Sequence, residues 1–204
     1  MGGPQLDLIN IGEVVVDQQG SVTISGQMRA TVDLDPGPAI QSVTSAGSSD
    51  VFVARYAQSD GRYLSAFRFG GVGMDGSHAL RVDAAGNVYV AGWITGRVDL
   101  DPGSGERILV GTSTGGGTDV FVAKFTSSGT LAWASAVLSN ASGAAAFGMA
   151  TGVGIGANAS VWITGRFYGT ADFSAGARTA MAISAGESDA FVARFDGAGV
   201  LVTR

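Results

Sequence analysis

The 204-residue chain contains no cysteine, so it forms neither a disulfide nor a thiolate metal site, and composition leaves its redox compartment open. It has one histidine, His78, which leaves little material for histidine-based acid–base or nucleophilic chemistry. Charge is also scarce. Only 14% of residues are charged, and 12 basic against 17 acidic side chains give a net charge of -5 without a run of either sign. Phosphate contact needs a clustered basic face, so nucleic acid is disfavoured as a partner. Gly, Ser, Asp or Asn interrupts every apolar stretch well short of the roughly 20 residues a bilayer requires, so no membrane span is expected. The opening MGGPQLDLINIGE lacks both a basic leader and an unbroken apolar core and does not read as a signal peptide.

What is present is apolar and turn-rich. Hydrophobic residues make up 46% of the chain and 33 glycines punctuate them, the composition of a packed β protein rather than a disordered segment. The same phrases recur. TVDLDPG at 31–37 returns as RVDLDPG at 97–103, a step of 66 that also lays Gly20 on Gly86 and Gly26 on Gly92. DVFVARY at 50–56 returns as DVFVAKF at 119–125 and DAFVARF at 189–195. A third, looser copy has SVWITG at 160–165 in place of NVYVAG at 87–92, and TADFSAG at 170–176 in place of RVDLDPG. The repeats therefore fall at about 12–77, 78–150 and 151–204.

Each copy reads as a series of short strands bounded by glycine turns, with no competing helical period. In the second copy, HALRVD, NVYVAGW, DVFVAKF and LAWASAV form four core strands, and an insertion carries DLDPG. In DVFVAKF, Val120 and Val122 point to one face while Phe121, Ala123 and Phe125 point to the other. A strand apolar on both faces must lie between two layers. The expected fold is all-β: three repeated antiparallel blades of about four strands, forming part of a β-propeller.

The segments VDxxGNVYVAG, DVFVAKF and GxLAWA resemble the SBBP-type β-propeller repeat of bacterial envelope and secreted proteins, and nearly the whole chain is covered. Copy three departs where VGIGANAS stands for VDAAGN. The resemblance implies a propeller scaffold belonging to a larger extracellular or cell-envelope protein, and it carries no catalytic residues over to this chain. The expected function is accordingly a non-enzymatic scaffold or interaction module whose partner is an unidentified protein or glycan. A carbohydrate-binding propeller is the alternative, and a propeller-based hydrolase or lyase is a more distant one.

Individual motifs favour structural roles. GTSTG at 111–115 has nucleophile-elbow spacing but no helix to follow it. GVGMDG at 71–76 matches GxGxxG, yet the strand HALRVD follows where a phosphate site needs a helix N-terminus. Asp50, Asp119 and Asp189 recur at equivalent strand starts and are expected to accept backbone N–H bonds from the preceding turn. DLDPG reads as a type II turn, with Pro36 or Pro102 followed by Gly37 or Gly103 at positive φ; two acids fall short of a calcium loop. Trp133 and Trp162 are expected in the core, and Trp93 at the surface. No catalytic, cofactor or metal residue is assigned. Three blades are too few for a ring, so the chain is expected to be a fragment of a longer propeller or, less favoured, half of a six-bladed homodimer, with LDLINIG an extra strand before the first copy.

Overall fold

A computed structural model describes residues 8–112, 116–140, 147–175 and 179–204. Among these the protein is all-β, built of antiparallel sheets, and no sheet closes on itself. No helix among the described residues is long and apolar enough to cross a membrane.

Three four-stranded units follow one another. The first contains β1 (Leu8–Val16), β2 (Ser21–Arg29), β5 (Asp50–Ala57) and β6 (Tyr63–Gly71), and a hairpin of β3 (Thr31–Asp33) and β4 (Ser42–Thr44) is inserted at its middle. The second contains β7 (Gly76–Val82), β8 (Val88–Ile94), β11 (Asp119–Phe125) and β12 (Leu131–Asn140), with the hairpin β9 (Arg97–Asp99) and β10 (Ile108–Val110). The third contains β13 (Gly148–Ile155), β14 (Val161–Phe167), β17 (Asp189–Phe195) and β18 (Leu201–Thr203), with the hairpin β15 (Thr170–Asp172) and β16 (Met181–Ile183). The four core strands and the DLDPG insertion are thus where the repeat places them. LDLINIG is not an extra strand: its described part begins β1, which pairs along its length with β2.

The turns explain why glycine is so frequent. Between β7 and β8, Asp83 Oδ1 accepts N–H bonds from Ala85 and Asn87 while Gly86 donates to the Asp83 carbonyl, which places Gly86 at φ 80°. Asp17 and Gly20 build the same loop between β1 and β2, and Asp196 and Gly199 build it between β17 and β18. The loop needs an acid four or five residues before the next strand and, three residues after the acid, a glycine that tolerates the left-handed region. The GANAS segment has Gly156 in the acid's place and Ala159 in the glycine's, and there the chain makes a short 3-10 turn with Asn158 and Ala159 at positive φ. A second glycine role lies inside β2, β8 and β14. Gly26, Gly92 and Gly165 each face a bulge in the neighbouring first strand, and a methyl group on any of them would strike the carbonyl oxygen of Asn10, Gly76 or Met149.

The units stack face to face. Phe121, Ala123 and Phe125 pack with Val51, Val53 and Phe69 of the first unit, and Val120 and Val122 pack with Ile163, Phe191 and Phe195 of the third. β11 is therefore buried on both faces, as its apolar run requires. Two kinds of backbone contact reinforce the stack. The inserted hairpins of the second and third units leave their own units and join the last strand of the unit before, β9 on β6 and β15 on β12. In the first two units the residue before the third strand also bonds the chain entering or starting the next unit: Ser49 N–H donates to Gly73 O at 3.2 Å, and Gly148 N–H donates to Thr118 O at 2.7 Å.

Candidate interaction surface

The aspartates that drew attention in the sequence are occupied by the chain's own amides. In the first hairpin, Asp33 Oδ1 accepts from Asp35 N at 3.1 Å and Gln41 N at 2.8 Å, and Asp35 Oδ1 accepts from Gly37 N at 2.7 Å. In the second, Asp99 accepts from Asp101 and Arg107, and Asp101 from Gly103, at 2.8–3.0 Å. The amides of Gln41 and Asp35 hold the Asp33 carboxyl below the usual carboxylate range. The expected type II geometry is not found, because neither Gly37 nor Gly103 has positive φ. Asp35 and Asp101 instead form Asx turns, in which the side chain closes the loop that a backbone carbonyl would otherwise close. In the third hairpin Asp172 Oδ1 accepts from Ser174 N at 2.9 Å, and the Ser174 hydroxyl accepts from Thr179 N at 3.1 Å, so serine takes the place of the second aspartate. Among the described residues no group of three or more His, Asp or Glu side chains could hold a metal ion.

Two of the three strand-start aspartates accept from the preceding turn, as the repeat suggests. Asp50 and Asp189 accept from Ala46 N and Ala185 N, both at 2.9 Å. Asp119 accepts from Ser139 N at 2.5 Å and so ties β11 to β12. Asp50 is buried and carries an ion pair with Arg68 at 2.9 Å, and burial still pushes its carboxyl up. Sequence reasoning missed Asp75, inside GVGMDG. It is fully buried, accepts from Gly71 N at 2.7 Å and Thr95 N at 2.9 Å, and burial raises its pKa to about 6. The one signal was an acid in a glycine-rich loop just before a strand. Its two oxygens point at backbone amides of two units rather than at solvent, an arrangement suited to fixing a junction. β7 follows the loop directly, so the strand expected after GVGMDG is observed.

GTSTG falls partly outside the described residues; Thr112 donates its hydroxyl to Ser139 O at 2.9 Å. His78 stacks on Trp93 with ring centroids 4.6 Å apart, and burial together with Arg166 lowers its pKa. Trp93 is thereby half-buried rather than exposed, lying against His78 and the Gly76 backbone. Trp133 is half-buried and packs over Gly199 of the third unit. Trp162 contradicts its expected core position. It shares the register of Tyr89, which is 1% exposed, yet it is itself 39% exposed, with the Arg194 guanidinium 5.7 Å from its ring centre. Tyr89 faces the third unit; the equivalent face of the third unit has no neighbour among the described residues.

The accessible surfaces with distinct character are therefore the two ends of the stack. On the third unit, Trp162, Val192 and Val202 lie open among Thr164, Arg166 and Arg194. On the first, Ile11, Val14 and Val16 of β1 are 46–56% exposed, Val14 and Val16 opposite Ile24 and Val22 of β2. No family model and no curated protein matches the chain.

Proposed function

We propose that this chain is a non-enzymatic β-propeller scaffold or protein-interaction module, part of a larger secreted or cell-envelope bacterial protein of the SBBP-type repeat class. The observation that carries the reading is the hairpin clasp. Twice, a hairpin inserted between the second and third strands of one unit extends the sheet of the unit before it, in the same order and direction. Four-stranded units that each contact only their neighbours are the building plan of a radial repeat array, and the clasp ties such neighbours together. The acids that could have served catalysis or metal binding are bonded to backbone amides, which supports a structural role for the loops.

The test is cell fractionation of the source bacterium with an antibody raised against the chain. The expected antigen is a polypeptide longer than these 204 residues, in the secreted or envelope fraction. A free chain of this length confined to the cytosol overturns the reading. Binding on a glycan array that is lost in Trp162→Ala would replace the protein-interaction reading with a lectin one.

A further inference from the structure

We infer that the free edge of β3, together with the adjoining face of β1 and β2, is the seat of the last strand of a fourth unit of this same repeat, which would precede the first; the inference rests on the scaffold reading. Three hairpins occupy the same place in their units, and two of them have a neighbour on each side. β9 lies between β6 and β10, and β15 between β12 and β16, whereas among the described residues β3 pairs only with β4. The open edge is otherwise built like the occupied ones. Val32 is buried as Val98 and Ala171 are, and the Asp33 loop is bonded as the Asp99 loop is.

The face beside it is apolar and incompletely covered. Val22 and Ile24 of β2 are half-buried, while the residues in their register on β8, Val88 and Val90, are 1% and 0% exposed because the first unit packs on them. Ile11, Val14 and Val16 continue that face into solvent. An apolar sheet face joined to an unpaired strand edge matches what the second and third units each present to the unit before them.

The register specifies the occupant. Val98 lies opposite Gly71, and Ala171 opposite Ser139. At Gly71 even a methyl group would strike the Arg97 carbonyl oxygen, and the equivalent position opposite Ala171 holds only a serine, so both occupied junctions carry a small residue here. The strand that fits Val32 thus carries glycine or serine opposite it. In β6 and β12 this residue follows the strand's first residue, Tyr63 or Leu131, by eight positions.

The test uses the full chain with and without an added unit. Hydrogen exchange on the unmodified chain should show amides 31–33 exchanging about tenfold or more faster than amides 97–99, the difference between an open and an occupied edge. Residues 76–147 are then duplicated ahead of Leu8, so that the added last strand precedes β1 as β12 precedes β13. Amides 31–33 should slow to the rate of 97–99. Because the chain has no cysteine, Val32→Cys combined with Ser139→Cys in the added copy alone should give a single intramolecular disulfide. Equal protection of both segments in the unmodified chain, protection that rises with its concentration, or an added unit that leaves 31–33 fast and uncross-linked, folded or not, each overturns the inference. The scaffold reading fails separately, in cell fractionation.

Discussion

The second and third units have the same strands in the same register and differ in what lies beside them. Tyr89, Ala91, Val120 and Val122 of the second unit are buried against the third. Their counterparts Trp162, Thr164, Ala190 and Val192 are exposed. Even the cation that covers the second-strand aromatic recurs, Lys124 over Tyr89 at 5.2 Å and Arg194 over Trp162 at 5.7 Å. The difference shows that position in the stack, rather than residue type or local strand pattern, decides which of these side chains contributes to stability.

The sharpest way to break that comparison is to truncate the paired aromatics. Tyr89→Ala should cost about 3–5 kcal/mol, since it empties a filled site in the core and removes the hydroxyl that donates to Asp83 at 3.1 Å. Trp162→Ala, although the larger truncation, should cost at most about 1 kcal/mol in the same urea titration, because much of its ring is already in water.

The junction between the first and second units offers a pH test. Asp75 has its pKa raised to about 6 by burial, so the folded protein binds its proton more tightly than the unfolded chain does. Its contribution is most favourable below the unfolded-state value of 3.8 and is lost as pH rises from there through about 6. At neutral pH the loss is on the order of 3 kcal/mol. Urea midpoints measured between pH 4 and 7 should fall with pH, and the fall should be shallower in Asp75→Asn, whose amide stands in for the protonated acid.

Smaller effects refine the same contrast. Val122→Ala should destabilise by about 1–2 kcal/mol and Val192→Ala by less than about 0.5 kcal/mol, two identical deletions in one register. At the start of the inserted hairpins, Ala30 has φ 62°, where the other two units have Gly96 at 71° and Gly169 at 70°. Ala30→Gly should therefore raise the melting temperature, by an amount corresponding to under about 1 kcal/mol, while Gly96→Ala lowers it by a similar amount.

Much of this was legible in the chain. The repeat and the doubly apolar DVFVAKF required stacked β layers, and the recurrence of Asp50, Asp119 and Asp189 pointed to turn bonding. The hairpin exchange was not legible, because strands of three residues carry no usable period and their partners lie in a different repeat. Trp162 was misplaced for a related reason: register identifies the face of a strand but not whether another layer covers it. The DLDPG turn was misassigned because Pro-Gly suggested a backbone-closed turn, whereas the preceding aspartate closes the loop with its own carboxylate. Asp75 escaped notice because its partners, Gly71 N and Thr95 N, belong to two units and converge only after folding.

The exchanged hairpin also imposes an order on synthesis. The first unit's six-stranded sheet is not complete when β6 leaves the ribosome, because its outer edge belongs to residues 97–110. At a translation rate of about 5–20 residues per second, the backbone at Gly70 and Gly71 waits several seconds for β9 and β10 to emerge. Each nascent unit thus carries an unpaired, adhesive border until its successor arrives. Neighbouring ribosomes on one message hold such borders close together, which makes translation speed across residues 72–110 a determinant of yield.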